Sequence, residues 1–408
     1  MPRIPGWFPL LLCLLSSCVD RSPVFRATAT AEIARQPGDY LNGTARAWQV
    51  SRGGVSRGLL WGTLHLSYGS NTQMPGPIRA RFYAAADLTV EAVLDEAPDA
   101  MHAIYDASRK ANLAADRAAP DNEMYLLILE QTSTGRIGGT AAVFSRVGAE
   151  WPFYSYKIST VSQTSRALQR TFSMRLLNLC TDHDGASEVG GLFLHPDLRT
   201  GGLGRLLARS RYLLIAANRA RFGATLLAEL RGWLTDDGES PFWDGLGKRF
   251  FGMEFRDADQ FNSLHGNQFI ADLMPKSPIY IALLGEAAQA VIGCPHDRGR
   301  PALKMLEDEG FRFDNYVDIF DGGPTVTCPT ASVRTVATSR AAPVGELADG
   351  PGGMPRALLS AGRLGDFRAW IGHADWCGAK DSGGLVLPAG EAELMNVGVG
   401  DEVRHAEI

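Results

Sequence analysis

Long apolar stretches are missing from this 408-residue chain. No run of about 18 or more apolar residues occurs, so an ordinary transmembrane helix is not expected. Cysteine is scarce. Cys13, Cys18, Cys180, Cys294, Cys328 and Cys377 are scattered, with no CxxC pair and no His/Cys ligand spacing. That argues against a disulfide framework and a structural zinc site. A charge excess of one sign is missing too. Lys and Arg number 40 against 45 Asp and Glu, and the net charge of −5 argues against a general nucleic-acid binder, which is usually basic. What the chain does have is length and 45% hydrophobic residues, enough for two or three domains with real cores.

The start reads differently from the rest. "MPRIPGWFPLLLCLLSSCVDRSP" has a cation at Arg3, an apolar centre and then small residues, the grammar of an export signal. Leu15-Ser16-Ser17-Cys18 resembles a bacterial lipobox, whose cysteine is lipidated. The plainer reading is an apolar N-terminus with a chance Ser-Ser-Cys. Residues 20–57 show no clear period. "RGLLWGTLHLSYG" reads as a strand, "PGPIRARFYAAADL" as a helix opened by Pro77, and "LTVEAVL" as a short strand. Residues 95–122 read as a helix and a loop.

From residue 123 the pattern is that of alternating strands and helices. "EMYLLILEQ", the turn "TSTGR" and "IGGTAAVFSRV" predict a hairpin. "FYSYKISTVS" and "SEVGGLFLHP" predict further strands, and a helix is expected over about 203–222. "TLLAELRG" is a strand, and Ser240-Pro241 opens a helix as N-cap and first helical residue. "GRPALKMLEDEGFRF" is a helix followed by a strand, and "YVDIF" is a strand ended by "DGGP". Residues 331–365, rich in Ala, Gly and Pro, read as linker and surface loop ahead of a small β-rich tail. The four segments expected are 1–22, 23–100, 101–330 and 331–408.

The stretch "SEVGGLFLHPDLRTGGLGRLLARSR" carries the first chemical signal. A strand runs into a glycine turn and then into a segment bearing Arg205, Arg209 and Arg211. A helix N-terminus presents unpaired N–H groups and partial positive charge, and glycines let backbone approach a phosphate. The spacing Arg199-x-x-Gly202-x-Gly204 lacks the Gly-Lys-Ser/Thr of a Walker loop and the third glycine of GxGxxG. The alternative is a glycine-rich strand-to-helix turn without a ligand.

This turn resembles the coenzyme A pyrophosphate loop of GCN5-related N-acyltransferases. The longer blocks "AELRGWLTDDGESPFWDGLGKRFFGMEF", "FIADLMPKSPIYIALL" and "AQAVIGCPHDRGRPALKMLEDEGFRFDNYVDIFDGGPTV" resemble the arginine N-succinyltransferase family, over about 104–330. That resemblance implies an α/β fold, a GCN5-related N-acyltransferase-like mixed sheet with helices, doubled in the family, with a small β-rich C-terminal part. It implies succinyl transfer from succinyl-CoA to the α-amine of L-arginine in arginine breakdown, in the cytoplasm. Succinyl-CoA is a co-substrate, with no permanently bound cofactor, no metal and no nucleic acid. A homo- or hetero-oligomer with a related subunit is also implied. Leu192 would meet succinyl-CoA through its backbone. Arg199, Gly202 and Gly204 would cradle the pyrophosphate, and His296 would be the catalytic proton donor. From the residues alone, His296 reads as a turn or capping histidine, and only the resemblance makes it catalytic. The family's Gln-Val before that histidine is here Cys294-Pro295. His195 beside the glycine turn reads as structural, and His183 has no assigned role. Glu229, Asp318 and Asp321 lie in family-like blocks, but none is assigned to the acceptor's guanidinium.

Residues 56–96 resemble the start of TraB/GumN-type proteins, with Gly62-Thr63-Leu64-His65 and Glu91 in the places of metal ligands there. Two ligands do not complete a metal site. The resulting expectation is a chimera joined near 96–104: an exported-protein start, membrane-associated only if the lipobox is used, ahead of a succinyltransferase. The competing functions are a metal-dependent lipoprotein and a non-catalytic remnant that binds CoA.

Overall fold

A computed structural model of the chain describes residues 46–52, 55–62, 123–131, 136–149, 151–265, 268–364, 367–377 and 383–408. The leader, the lipobox cysteine, His65, Glu91, the elements expected over 75–94 and the join expected near 96–104 lie outside the described residues. β1 (Arg46–Arg52) and β2 (Val55–Gly62) form an antiparallel hairpin with a bulge at Val50/Ser51. The sequence reading has no strand at β1, since polar neighbours hide the short alternation of Trp48 and Val50.

The remaining strands are β3 (Met124–Gln131), β4 (Arg136–Phe144), β5 (Ser155–Ser165), β6 (Arg170–Cys180), β7 (Ser187–Leu194), β8 (Thr225–Glu229), β9 (Ile279–Tyr280), β10 (Arg312–Val317) and β11 (Pro324–Pro329). A C-terminal group follows: β12 (Arg340–Ala348), β13 (Arg356–Ala361), β14 (Arg368–His373), β15 (Asp375–Cys377), β16 (Gly384–Pro388) and β17 (Glu402–Glu407). The helices are α1 (Leu203–Ala217), α2 (Pro241–Gly245), α3 (Gly247–Phe251), α4 (Phe255–His265), α5 (Gln268–Leu273), α6 (Glu286–Val291), α7 (Arg300–Asp308), α8 (Arg334–Thr338) and α9 (Ala389–Leu394). The chain divides into two compact units. One holds residues 144–191 and 223–329. The other holds the described residues among 23–143, 192–222 and 330–408.

In the first unit the strand order is β7-β8-β11-β10-β5-β6-β9. β7 and β8 are parallel and the other registered pairs are antiparallel, so the sheet is mixed, as expected. Tyr156 on β5 stands opposite Val317 on β10, and both side chains enter an apolar core with Phe242, Trp243 and Phe320. Trp243 stacks between Phe251 and Phe320, with ring centroids 5.3 and 5.6 Å away. Side chains alternate across a strand, so Lys157 and Tyr316 face the other way, onto a polar face. Lys157 Nζ sits 3.8 Å from the centre of the Tyr316 ring.

Ser240 caps α2 as expected, its Oγ accepting the Trp243 N–H at 3.1 Å. β10 stops at Val317, short of the predicted "YVDIF". The Asp318 carboxylate takes the N–H groups of Phe320 (2.7 Å) and Asp321 (2.8 Å) and turns the chain.

In the second unit, β3 and β4 are the expected hairpin neighbours. The C-terminal sheet runs β14-β13-β17-β12-β16-β15. Residues 331–365 are therefore not linker and surface loop: they hold α8, β12 and β13. The physical reason is burial. Val344, Ala357 and Leu359 pack with Trp370, Leu385 and Val403 in one core, and that packing outweighs the weak strand preference of Ala and Gly. α1 ends at Ala217 rather than near 222, because the Asn218 side chain turns back to the Leu214 carbonyl at 2.9 Å.

Candidate active site

Four of the expected site residues share one strand–turn–helix in the second unit. Leu192 lies on β7 and Arg199, Gly202 and Gly204 lie in the turn and the first residues of α1. His195, between them, ties the turn down: its N–H donates to Gly138 O at 2.7 Å, and its Nδ1 accepts the Asp197 N–H at 3.3 Å. That is the structural part expected of it. Arg199 Nε donates to Leu194 O at 3.0 Å, so this side chain closes the turn on itself. What Arg199 can offer a phosphate is its position and its remaining guanidinium donors.

Gly202 is the N-cap of α1 at φ 84°, the left-handed region that costs other residues about 1–2 kcal/mol. A Cβ there would meet nothing within 4 Å. Gly204 is not in that region. A Cβ on it would only touch Leu194 Cδ2 at 3.6 Å, an ordinary contact. The protein's own packing therefore does not require glycine at 204. No acidic residue occupies the first turn of α1, so its dipole faces outward uncompensated. The basic run behind it is not a ligand surface. Arg209 and Arg211 are buried, Arg209 donating to Thr335 Oγ1 (2.9 Å) and Glu407 O (2.7 Å), Arg211 to Ala208 O (3.0 Å). Arg205 alone of the three is exposed.

His296 lies in the first unit, half-buried, as the N-cap of a 3-10 turn over Asp297–Gly299. Its N–H donates to Arg231 O at 2.8 Å, and Pro295 forms an antiparallel bridge with Gly232. Cys294-Pro295 thus fits an anchored segment. Behind Arg231 stands Asp321. Its Oδ2 accepts the Gly232 N–H (2.9 Å), its Oδ1 accepts the Gly323 N–H (2.8 Å), and Arg231 Nε lies 3.4 Å from Oδ2. A side chain on Gly232 would collide with the Asp321 backbone, so this approach demands glycine. His296 Nδ1 accepts the Arg298 N–H at 3.2 Å. The neutral ring therefore carries its proton on Nε2. Burial, then the neighbouring Arg298, holds the ring's pKa below the ordinary histidine range.

Sequence reasoning passed over Glu188, inside the very stretch that carried the glycine signal. Its carboxyl is fully buried on β7, and neither oxygen has a hydrogen-bond partner. A lone acid within an otherwise apolar strand was the available signal. His183 is buried with its ring 4.3 Å from that of Tyr316, whose hydroxyl donates to Asp182 at 2.7 Å. Among the described residues, no group of three or more His, Cys, Asp and Glu side chains is arranged to hold a metal. Nor is any helix there long and apolar enough to cross a membrane.

Comparison with known proteins agrees with this architecture. The family model described as arginine N-succinyltransferase beta subunit matches residues 83–335, and the model of that subunit's C-terminal domain matches 340–407. An arginine N-succinyltransferase of Enterobacter sp. (strain 638) is 42% identical over 280 residues, 69% of this chain and 80% of that protein. One of Salmonella schwarzengrund (strain CVM19633) is 41% identical over 290 residues, 71% of this chain and 83% of that protein. The solved arginine/ornithine succinyltransferase subunit AI of Pseudomonas aeruginosa superposes with a TM-score of 0.67 at 33% identity, covering 76% of this chain and 88% of that one. With a family model spanning most of its length and relatives this similar, the chain belongs to the arginine N-succinyltransferase family of acyltransferases.

Proposed function

We propose that the protein transfers the succinyl group of succinyl-CoA to the α-amine of L-arginine, and that Leu192, Arg199, Gly202, Gly204 and His296 serve that reaction. The observation that carries the reading is 42% identity with enzymes of that name over two thirds of the chain. The outward-facing N-terminus of α1 is a receptor for the CoA pyrophosphate, and the backbone of Leu192 pairs with the pantetheine arm. The uncharged amine attacks the thioester carbonyl. A C–N bond forms, the C–S bond breaks, the nitrogen loses a proton and the sulfur gains one. His296, neutral with its proton on Nε2, supplies the hydrogen bond to the departing sulfur. No serine or cysteine nucleophile is needed.

Arginine-dependent release of free CoA from succinyl-CoA tests the reading; release that ignores arginine would sink it. The names "beta subunit" and "subunit AI" belong to the relatives, and by analogy this chain works in an oligomer. A cytosolic site of action goes with this substrate. The family match begins at residue 83, ahead of the join expected near 96–104, and takes in part of the 56–96 stretch; a leader and a start of different origin stay a separate proposal for the residues before it. Peptide mapping of the mature protein reads it, and a mature chain beginning at Met1 would refute the leader.

A further inference from the structure

The polar face of the first unit holds a second buried acid beside Glu188. β7 and β8 are registered at Glu188↔Leu227, and Glu229 lies two residues beyond Leu227. Two residues along a strand return to the same face, so Glu188 and Glu229 share one face of a parallel pair. Glu229 is also buried, and its one described side-chain partner is the Thr325 hydroxyl, which donates to Oε1 at 3.2 Å. Burial and then the carboxylates of Asp318, Glu188 and Asp321 weigh against charge on Glu229, and Arg231 Nε stands 3.4 Å from Asp321. Buried carboxylates are costly unless something positive meets them, and both oxygens of Glu188 are unused.

We infer that Glu188 and Glu229 together form the receptor for the cationic side chain of the amino-acid acceptor, a guanidinium held in bidentate fashion. This rests on the succinyl-transfer reading above. The alternative ligand within the same substrate is the α-ammonium. Carboxylates stabilise that group in its protonated form, which cannot attack a thioester. The side-chain cation stays charged throughout and is the chemically consistent occupant. Without the ligand, burial drives both carboxyls toward their protonated forms. The site is then neutral, and it ionises when the guanidinium arrives.

The test compares wild-type protein with Glu188→Gln and Glu229→Gln. Binding of L-arginine and of L-citrulline, its uncharged isostere, is followed by calorimetry with CoA present, alongside turnover and melting temperature. Each substitution should weaken arginine binding roughly 10- to 100-fold, leave CoA affinity unchanged and erase the preference for arginine over citrulline. Glu188→Gln should also raise the melting temperature at neutral pH, whereas a merely structural residue would lower it. Arginine bound equally well by folded Glu188→Gln and Glu229→Gln overturns the inference and leaves the enzyme reading intact. So does a fall in kcat alone with both acceptors, since it would place the carboxylates on the α-amine. A wild-type protein that neither binds nor succinylates arginine overturns both readings.

Discussion

Two histidines in this chain occupy the same backbone turn. His195 (φ −52°, ψ 137°) and His296 (φ −53°, ψ 143°) each precede a 3-10 turn and accept, through Nδ1, the N–H two residues on. Both are capping histidines, so local geometry does not separate a structural residue from a catalytic candidate. The difference lies in what anchors each one. His195 hangs on the Gly138 carbonyl and stands 3.5 Å from the exposed Asp197. His296 hangs on Arg231, which is set between Asp259 and Asp321, and Asp321 also grips Gly232 and Gly323. A cap backed by a buried charge network is a rigid mount, whereas a cap on a surface turn only closes that turn.

The sharpest way to break the comparison is to truncate both rings. His296→Ala should lower kcat roughly 10²- to 10⁴-fold, while His195→Ala should leave kcat near the wild-type value. Stopped assays of CoA release on the two variants decide it, and equal losses would mean that the shared turn, not the ring, matters. Next comes the mount. Asp321→Ala strands the N–H groups of Gly232 and Gly323 and leaves Arg231 with Asp259 alone of its two flanking carboxylates, and should cost about 3 kcal/mol or more of unfolding free energy in denaturant titration. Asp197→Ala, its counterpart beside His195, should cost less than about 1 kcal/mol.

A smaller effect is in pH. The folded-state pKa of His296 is lowered, so the ring stays neutral below the ordinary histidine range. The stability it contributes is present above the unfolded pKa and is lost as pH falls through the folded one. The acidic limb of kcat/KM should therefore sit below the usual histidine range and vanish in His296→Ala. The smallest expected change is Gly204→Ala. It should leave the melting temperature untouched yet weaken succinyl-CoA binding several-fold, since only a ligand needs that space.

These contrasts also show what the sequence could convey. The strand, glycine turn and helix around 187–217 were legible because each has its own local chemistry: an apolar run, residues suited to positive φ, and helical spacing. Ser240-Pro241 was legible for the same reason. β6 was not seen, since Arg170, Thr171, Asn178 and their neighbours give no apolar alternation, and its formation depends on eleven registered pairs with β5. β12 and β13 were read as loop because their small residues gain strand character only from the core they join. The glycine turn stands out in the sequence as a candidate site, and Glu188, eleven positions before Arg199, does not. Its significance comes from β8, which lies more than thirty residues further on. The Arg205–Arg211 run shows the reverse: charge in a sequence suggests a surface, and only packing shows Arg209 and Arg211 turned inward.

That inward turn of Arg209 has a consequence for synthesis. Its guanidinium partner at Glu407 lies 198 residues downstream. At typical rates of protein synthesis, the helix that begins at the glycine turn waits roughly 10 to 40 s for that partner to be made. During the wait Leu206 and Leu213, which pack with Leu358 and Ala406 of the C-terminal sheet, also lack their partners. That contact of the second unit forms only once the C-terminal sheet has left the ribosome.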